Sequence, residues 1–197
     1  MLCSRDISRL RADVAANCNV FLQLCKAAGL NVLVTQTVRD DEYQAQLYAQ
    51  GRTKPGSIVT NQRYPTFHWS EAGLAFDICK NVKGHEYDDA AFFTKCGEIG
   101  KKIGFTWGGD WTSLVDKPHF QWDEHGKYTG SMIRSGKRPA TMPLYQNQVK
   151  KEAAKVTKDE AKSIIKAKAG LSDATIVYLD SYRYGDDLLI KLATAMK

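Results

Sequence analysis

Two short segments of this chain constrain its fold most, because each combines strand-forming residues with side chains that can bind a metal ion. The first segment, residues 66–77, contains His68 and ends in Asp77. The second segment, residues 116–120, contains His119. If these side chains share one ion, the fold has to bring the two segments together, and strand ends hold ligands more precisely than flexible loops do.

The side chains of these segments match the donor set of a catalytic zinc site. Such an ion takes three protein ligands from His, Asp or Glu and leaves its fourth position to water. His68, Asp77 and His119 would supply the ligands, and Asp116 would be left to handle the proton of the water. The alternative is that each side chain serves packing or the surface, as any one of the four histidines could. The remaining histidines are interpreted as solvated loop residues, His85 and His125.

The residues around the proposed ligands favour strands. Residues 73–78 include small side chains that allow close approach of the backbone, and Asp77 faces the same way as Ala75. Residues 120–122 form a second short strand, and Pro118 keeps the residue before it out of the helical region. Both segments are therefore expected to enter a sheet.

Apolar periodicity predicts the elements between these strands. A helix is expected to begin after a cap at Ser4 or Asp6 and to end at Gly29, followed by a β-branched strand over residues 31–37. The other predicted elements are helices over residues 40–50 and 88–104 and a short strand over residues 58–60.

Further motifs flank the two segments. Val38-Arg39, Gln44 and residues 47–56 precede the first segment, and Trp107-Gly108-Gly109-Asp110-Trp111 lies between the two. Together with Thr-x-His, Gly-Leu-Ala-Phe-Asp and Asp-x-Pro-His-Phe, they resemble the zinc peptidases that cut D-alanyl and L-alanyl-D-glutamate bonds in bacterial cell walls. The resemblance covers residues 4–130 and is greatest to the L-alanyl-D-glutamate endopeptidases of phage endolysins.

This resemblance implies an α+β fold with helices packed around an antiparallel sheet. It implies a zinc ion held by His68, Asp77 and His119, with Asp116 as the base that takes a proton from water and delivers it to the leaving amine. It also implies that Arg39 polarises the scissile carbonyl or holds a substrate carboxylate. The implied reaction is hydrolysis of the L-Ala–D-Glu bond of the stem peptide of peptidoglycan. The alternatives are a D-Ala-D-Ala carboxypeptidase or dipeptidase, and a wall-binding protein without activity.

Three further residues are predicted to bind the substrate. Gln44 belongs to the arginine motif, and Trp107 and Asp110 belong to the glycine-containing turn. That turn could be a tight turn with core tryptophans, a wall of the peptide cleft, or both. Asp110 could instead orient a ligating histidine.

The chain departs from the family pattern after His68. The family has two residues between its His and the glycine of Gly-x-Ala-x-Asp, whereas four residues separate His68 from Gly73 here. Ser70 stands at the usual offset, but a serine is a poor zinc ligand. We interpret the difference as a two-residue insertion that bulges the loop and leaves His68 in the site, because Thr66-Phe67-His68 keeps the Thr-x-His pattern.

The composition of the chain limits the kinds of partner that the protein is expected to bind. The chain has 197 residues, 43% of them hydrophobic and 25% charged, which is typical of a globular protein. No apolar run approaches about 18 residues, so we expect no membrane insertion. The net charge of +6 fits a polyanionic cell wall. It could also suit nucleic acid, but no cluster of basic and aromatic residues indicates such a face.

Cysteine usage and the N-terminus suggest where the chain is made and acts. The five cysteines form no Cys-x-x-Cys pair, which predicts reduced thiols in a protein made in a cytosol. The first residues lack the pattern of a secretory signal. We therefore expect synthesis in the host cytoplasm and action on the bacterial wall after release.

A change in composition after Tyr128 predicts a second domain. Residues 1–130 are expected to form the catalytic domain, and residues 131–148 a linker or a wrapping tail. Residues 149–197 are expected to form a small helical domain that binds the cell wall, with a capping box at Thr157 and Glu160. Alternatively, these helices dock on the catalytic domain or dimerise.

Overall fold

The computed structural model describes residues 1–146, 157–182 and 185–196. The chain divides into two units, Met1–Leu144 and Tyr145–Lys197. The first unit contains helices and a sheet, and the described part of the second contains helices. None of the described helices has the length and apolar character that crossing a membrane would require.

The sheet of the first unit has four strands in the order β1-β2-β4-β3. The strands are β1, Val32–Gln36; β2, Ala75–Lys80; β3, Thr106–Trp107; and β4, His119–Gln121. Each neighbouring pair is antiparallel. The predicted α+β class with an antiparallel sheet is therefore confirmed.

The register of the sheet places the proposed ligands next to one another. In the ladder between β2 and β4, Asp77 is paired with His119. A bulge in β1 between Val34 and Gln36 sets Gln36 opposite Asp77 on the other side of β2. Directly opposed residues project to the same face of a sheet, so three polar side chains from three strands share one face.

The helices of the first unit have recognisable ends. They are α1, Ala12–Ala27; α2, Asp41–Ala49; α3, Ala90–Ile103; and α4, Gly130–Arg134. Asp40 and Asp89 cap α2 and α3, because their side chains accept hydrogen bonds from backbone amides of the first turn. Gly104, with a φ of 112°, ends α3 in the left-handed conformation that glycine favours.

The long helix predicted at the N-terminus is divided in two. A short 3₁₀ turn, Ile7–Arg9, is capped by Asp6, and α1 begins only at Ala12. Between them, the amide of Arg11 donates to the carbonyl of Gly73 (3.0 Å) instead of continuing a helix. A Cβ atom at Gly73 would lie 2.6 Å from the Arg11 nitrogen, so this close approach depends on glycine.

Residues 58–60 are not a strand, contrary to the prediction. The carbonyl of Thr60 accepts a hydrogen bond from Arg52 Nη1 (3.0 Å), and the carbonyl of Gln62 accepts one from Gln44 Nε2 (2.6 Å). A side chain from the turn after α2 therefore bonds the end of this segment, and one from α2 bonds the residue just beyond it, in place of a strand ladder.

Aromatic side chains fill the space between α1 and the sheet. The ring of Phe21 lies 5.5 Å from that of Phe76 and 4.9 Å from that of Phe120, measured between centroids. All three side chains are fully buried. On α3, a Cβ atom at Gly100 would lie 2.3 Å from the ring of Phe120, so the lack of a side chain at Gly100 allows α3 to pack closely against Phe120. This packing anchors β2 and β4, the strands that carry the proposed ligands.

Residues 131–144 belong to the first unit, so the predicted boundary at residue 130 is too early. Met142 is buried, and its backbone amide donates to the carboxylate of Asp13 in α1. The carbonyl of Ala140 accepts hydrogen bonds from Trp122 Nε1 (2.9 Å) and Arg11 Nη2 (3.0 Å). Of the two predicted alternatives for this stretch, a linker or a wrapping tail, the tail describes residues 131–144.

The described part of the second unit consists of helices α5, Lys158–Ala169; α6, Asp173–Asp180; and α7, Gly185–Ala195. The predicted capping box is confirmed, since Thr157 and Glu160 exchange side-chain and backbone hydrogen bonds. The core of this unit contains Ala161, Ile165, Ile176, Leu189 and Ala193. Residues 149–156, also predicted as helical, lie outside the described residues.

All five cysteines are free thiols, as their spacing predicted. Cys3 is exposed, whereas Cys18, Cys25, Cys79 and Cys96 are buried. The four buried cysteines therefore act as small apolar side chains of the core, and none of the five belongs to a covalent frame.

Candidate active site

His68, Asp77 and His119 lie together beside the central strands. Asp77 Oδ1 is 2.9 Å from His119 Nδ1 and 3.2 Å from His68 Nε2, and the two ring nitrogens are 3.2 Å apart. Two atoms bound to a tetrahedral zinc ion at about 2.0–2.1 Å lie roughly 3.3 Å from each other. The spacing of the three donor atoms is therefore close to what zinc would require.

Hydrogen bonds behind the cluster orient both imidazole rings. His68 Nδ1 lies 2.7 Å from the carbonyl of Thr37, which can only accept, so Nδ1 carries the proton and Nε2 faces the cluster as an acceptor. Gln121 donates its amide to Asp123 (2.8 Å), which leaves its oxygen to accept from His119 Nε2 (2.9 Å). Such outer partners are what fix ligating histidines in metal sites.

With these protons assigned, three acceptor atoms converge without a hydrogen between them. They are His68 Nε2, His119 Nδ1 and Asp77 Oδ1. Leaving buried acceptors without a donor costs free energy, and a bound cation would satisfy all three at once. In the absence of a cation, His119 would bind a second proton at Nδ1, and this N–H would donate a hydrogen bond to Asp77. The donor set and its surroundings therefore fit a zinc ion.

The pKa values of the cluster suit a metal site. Burial lowers the pKa of His68 to about 4, so this ring is neutral at neutral pH. Burial also disfavours charge on His119, but its hydrogen bond to Asp77 and the charge of that carboxylate raise its pKa overall. Although burial raises the pKa of Asp77, the two histidines hold it well below its usual range. The cluster therefore offers a carboxylate, a neutral imidazole and one ring that would release its proton on binding a cation.

The structure places His68, and not Ser70, in the cluster. The residues after His68 form a helical turn in which the amides of Ala72 and Gly73 both donate to the carbonyl of Trp69 (2.8 Å each). This turn contains the residues interpreted as an insertion and leads into β2, where Asp77 is paired with His119. His68 is 2% exposed, whereas Ser70 lies on the surface.

Asp116 lies beside the cluster on the loop that leads into β4. Its carbonyl accepts from the amide of His119 (3.1 Å), and its own amide donates to the carbonyl of Gly108 (3.0 Å). Burial raises the pKa of Asp116, and the neighbouring Asp77 adds to this rise, while His119 opposes it. A carboxyl group with a raised pKa is suited to holding and releasing a proton during catalysis.

Arg39 is buried and held by two glutamines. Its Nε donates to Gln44 Oε1 (2.5 Å), and its Nη1 donates to Gln36 Oε1. Burial lowers the pKa of Arg39, but the nearby Asp77 opposes this change and the guanidinium stays charged. Nη2 makes no hydrogen bond in the described part of the chain, so it is the group that can donate to a substrate oxygen.

These groups share a cavity of about 610 Å³. Its lining includes Arg39, Asp77, Asp116, His68 and His119, together with Asp110 and the loop that follows. Asp110 is exposed and forms an ion pair with Lys101 (2.8 Å), so it lies at the rim. The predicted role of Asp110 in orienting a histidine is performed instead by Gln121 and Asp123.

Two of the predicted substrate-binding residues do not line this cavity. Gln44 is fully buried behind Arg39, where it positions the guanidinium. Trp107 is turned into the core, and its Nε1 donates to the carbonyl of Lys117 (2.7 Å). The tryptophan that does line the cavity is Trp111, whose ring centroid lies 5.2 Å from that of His119. Sequence could not distinguish the two because both flank the same glycines.

Leu114 is a second cavity residue that the sequence did not indicate. It lines the cavity with a φ of 49°, a conformation that a side chain such as leucine rarely adopts. The histidines interpreted as solvated remain away from the cavity. His85 pairs with Asp88 on the surface (2.6 Å), and His125 is exposed.

Comparison with known proteins finds a family match over the part of the chain that contains the cluster. The model of a family described as D-alanyl-D-alanine carboxypeptidase matches residues 64–122, which include all three clustered residues and Asp116. The peptidoglycan L-alanyl-D-glutamate endopeptidase CwlK of Bacillus subtilis is 34% identical over 125 residues, covering 58% of this chain and 74% of that protein. The L-alanyl-D-glutamate peptidase of Listeria phage A118 is 29% identical over 125 residues, covering 61% of this chain and 41% of that protein.

The chain is thus a metallopeptidase. It belongs to the peptidase family that contains D-alanyl-D-alanine carboxypeptidases and peptidoglycan L-alanyl-D-glutamate endopeptidases. Among solved structures, the L-Ala D-Glu endopeptidase ChiX of Serratia marcescens has a TM-score of 0.43 at 15% identity, covering 62% of this chain and 87% of that one. The vancomycin resistance D,D-dipeptidase VanXYg has a TM-score of 0.42 at 19% identity, covering 77% and 62%.

Proposed function

We propose that this protein is a zinc endopeptidase that hydrolyses the L-Ala–D-Glu bond of the peptidoglycan stem peptide. The observation that carries the proposal is the convergence of His68 Nε2, His119 Nδ1 and Asp77 Oδ1 in a cavity that Asp116 and Arg39 also line. Two relatives with L-alanyl-D-glutamate peptidase activity in their names support this choice of bond.

The three clustered residues would hold the zinc ion. When bound, zinc supplies Lewis-acid chemistry, which activates water and polarises a carbonyl group. The residues of the chain do the rest. The hydrogen bonds to Thr37 and Gln121 orient the two rings so that the other nitrogen of each could bind the ion.

Asp116 is the proposed proton carrier. In its ionised form its carboxylate accepts a proton from the attacking water, and it then donates that proton to the nitrogen of the leaving D-Glu residue. Its raised pKa favours this exchange, because a very acidic carboxylate would accept the proton poorly. Asp110, the other aspartate on this loop, is at the rim and paired with Lys101, so it is less suited to the role.

Arg39 is proposed to stabilise the negative charge that develops on the carbonyl oxygen of L-Ala. A preorganised donor in a partly buried site contributes most when it does not have to move during the reaction. Gln36 and Gln44 hold the guanidinium in this way. The same group could instead bind a substrate carboxylate through its remaining N–H groups.

The bacterial cell wall is the proposed site of action, and peptidoglycan the proposed substrate polymer. The second unit is proposed to bind the wall, which would keep the catalytic unit near its substrate. Docking or dimerisation of these helices is the alternative.

Cleavage of a D-Ala-D-Ala bond, by a carboxypeptidase or a dipeptidase, is the second candidate, because the matched family model is described as D-alanyl-D-alanine carboxypeptidase.

End-group analysis of purified walls after incubation with the protein, with and without a zinc chelator, separates the possibilities. We expect new D-glutamate or D-isoglutamine amino termini that disappear with the chelator. Release of free D-alanine would favour the second candidate. Binding to walls without new termini would contradict both and favour a non-catalytic wall-binding protein.

A further inference from the structure

A second cavity adjoins the catalytic one and carries positive charge. It has a volume of about 510 Å³, and its walls include Tyr48, Arg63 and Arg134. Asn61 and Gln62 line both cavities, so the two spaces lie on either side of one short wall. A ligand in the catalytic cavity could therefore extend into the second.

The arginines of this cavity are not neutralised by the described chain. Arg11 and Arg138 form ion pairs with carboxylates, whereas Arg63 and Arg134 form none among the described residues. The guanidinium of Arg63 lies over the ring of Tyr48, 4.9 Å from its centroid. This contact and a hydrogen bond to the Tyr48 hydroxyl, which lowers the pKa of Tyr48, steady the guanidinium, and its remaining N–H groups can donate to a carboxylate.

The wall between the cavities is fixed by polar contacts. Gln44 donates to the carbonyl of Gln62 (2.6 Å), and Arg52 donates to the carbonyl of Thr60 and to Asn61 Oδ1 (3.0 Å each). Gln44 also holds Arg39 in the catalytic cavity. One buried side chain thus sets the position of the second cavity relative to the catalytic arginine.

We propose that the cavity of Arg63 and Arg134 binds a carboxylate of the stem peptide on the leaving-group side of the scissile bond. This inference rests on the proposed function. Cleavage of an L-Ala–D-Glu bond divides the substrate unequally in charge. Before cleavage, the carboxyl group of L-Ala is part of the amide bond and carries no charge. The fragment that begins with D-Glu carries a free carboxylate at the α-position of D-Glu and further carboxylates along the peptide. Two unpaired arginines beside the catalytic cavity complement that second fragment.

Steady-state kinetics on soluble stem peptides test this assignment. The double variant R63Q/R134Q should raise KM about tenfold, which corresponds to roughly 1.4 kcal/mol, while kcat stays within about twofold because neither arginine touches the reacting atoms. The matched control K83Q/K95Q removes the same charge from exposed lysines that line neither cavity. The variant R63K/R134K should recover part of the loss.

Amidated substrates identify which carboxylate is bound. If the α-carboxylate of D-Glu is the ligand, the D-isoglutamine peptide should show no difference between wild type and R63Q/R134Q. If a later carboxylate is the ligand, amidation at the C-terminus should abolish the difference instead. A KM penalty that survives both amidations, or that K83Q/K95Q reproduces, would overturn the proposal.

Calorimetric binding of the dipeptide γ-D-Glu-L-Lys gives a readout that needs no turnover. Weaker binding to R63Q/R134Q than to wild type supports the subsite even if wild type cleaves a different bond, in which case only the proposed function fails. Equal binding to both proteins overturns the subsite and leaves the proposed function standing. Tighter binding of glycerol phosphate than of the dipeptide would assign the cavity to a phosphate polymer of the wall and overturn the peptide assignment.

Discussion

At the residue scale, each imidazole ring of the cluster uses one nitrogen to donate a hydrogen bond to a neutral acceptor outside the cluster. The carbonyl of Thr37 accepts a hydrogen bond from Nδ1 of His68, and Oε1 of Gln121 accepts one from Nε2 of His119. Opposite nitrogens of the two rings therefore face Asp77. This arrangement separates residues that would hold the metal from Asp116, which approaches the same cavity from a loop.

That separation predicts different outcomes for two substitutions. D116N should lower kcat by about 10²–10⁴-fold, the range for losing a general acid–base, while zinc content per chain is unchanged. H119A should lose both activity and zinc, since it removes a donor atom. Metal analysis after dialysis, together with peptide hydrolysis, measures both properties. Equal zinc loss in the two variants would contradict the division of roles, and D110N, the same change at the cavity rim, should stay within severalfold of wild type.

Zinc affinity should depend on pH through His119. Its pKa in the metal-free protein is raised above 6.5, mainly because the contacts with Asp77 outweigh burial. Zinc must displace this proton, so affinity should fall about tenfold per pH unit as the pH drops below the raised pKa. His68, with a pKa of about 4, should not contribute until the solution is far more acidic. Chelator competition between about pH 5 and 8 measures the slope; an affinity that is flat over this range would refute the assignment, and H85A should leave the slope unchanged.

At the scale of elements, the turn before β4 depends on a close approach of two backbone segments. A Cβ atom at Gly108 would lie 2.4 Å from the carbonyl oxygen of Asp116 and 3.2 Å from Cβ of His119. G108A should therefore displace both residues and lower kcat about 10–10²-fold, because small misplacements of catalytic groups are costly. The control G84A has nothing within 4 Å of the added Cβ but a φ of +81°, so it should cost stability without affecting kcat. Full activity of G108A would show that the loop accommodates the change.

Asp13 in α1 binds the tail that follows α4 through a hydrogen bond to the backbone of Met142. The Asp13 carboxylate accepts from Arg11 Nε and Nη2 (2.7 Å each) and from the amide of Met142. Although burial raises the pKa of Asp13, these hydrogen bonds lower it overall. D13N should reduce the free energy of unfolding by roughly 2–3 kcal/mol at pH 7, as expected for charge-assisted bonds at a buried group.

The effect of D13N on the free energy of unfolding should also depend on pH. A carboxyl group with a depressed folded pKa contributes its stability above its unfolded pKa, about 3.9, and loses it as the pH falls through the folded value. Urea denaturation should therefore show the difference between wild type and D13N shrinking below about pH 4. A difference that is constant with pH would mean that shape and not charge holds the tail. E71Q, which removes the exposed pair with Arg138 (3.9 Å), should change stability by less than about 1 kcal/mol.

At the scale of the whole molecule, the first unit contains every residue proposed for catalysis. Its core, sheet and tail lie within residues 1–144. We expect residues 1–144 expressed alone to fold and to cleave a soluble stem peptide with kcat/KM within about threefold of the full chain. Lysis of intact walls should fall further, because the proposed wall-binding unit is then missing. Equal loss on peptide and wall would indicate that the second unit supports the catalytic one instead.

The sequence predicted that His68, Asp77 and His119 would lie together, as they do, and most of the elements could be predicted because they depend on local chemistry. Caps, glycine stops and β-branched runs located the ends of α2, α3 and β1 to within a few residues. The break between the first 3₁₀ turn and α1 could not be predicted, since it results from the hydrogen bond of Arg11 to Gly73, far along the chain. The strand expected at residues 58–60 is missing for a similar reason, because the side chain of Arg52, in the turn after α2, donates to the carbonyl of Thr60.

The sequence by itself determined which donor atoms the protein can offer a metal and in what order. These are properties of side-chain types and short motifs. Only the tertiary structure decided that Trp111 and not Trp107 faces the cavity, that Gln44 supports Arg39 from behind, and that residues 131–144 pack on the first unit. Such choices depend on strand register and on contacts between residues far apart in sequence, and a local pattern carries no information about either.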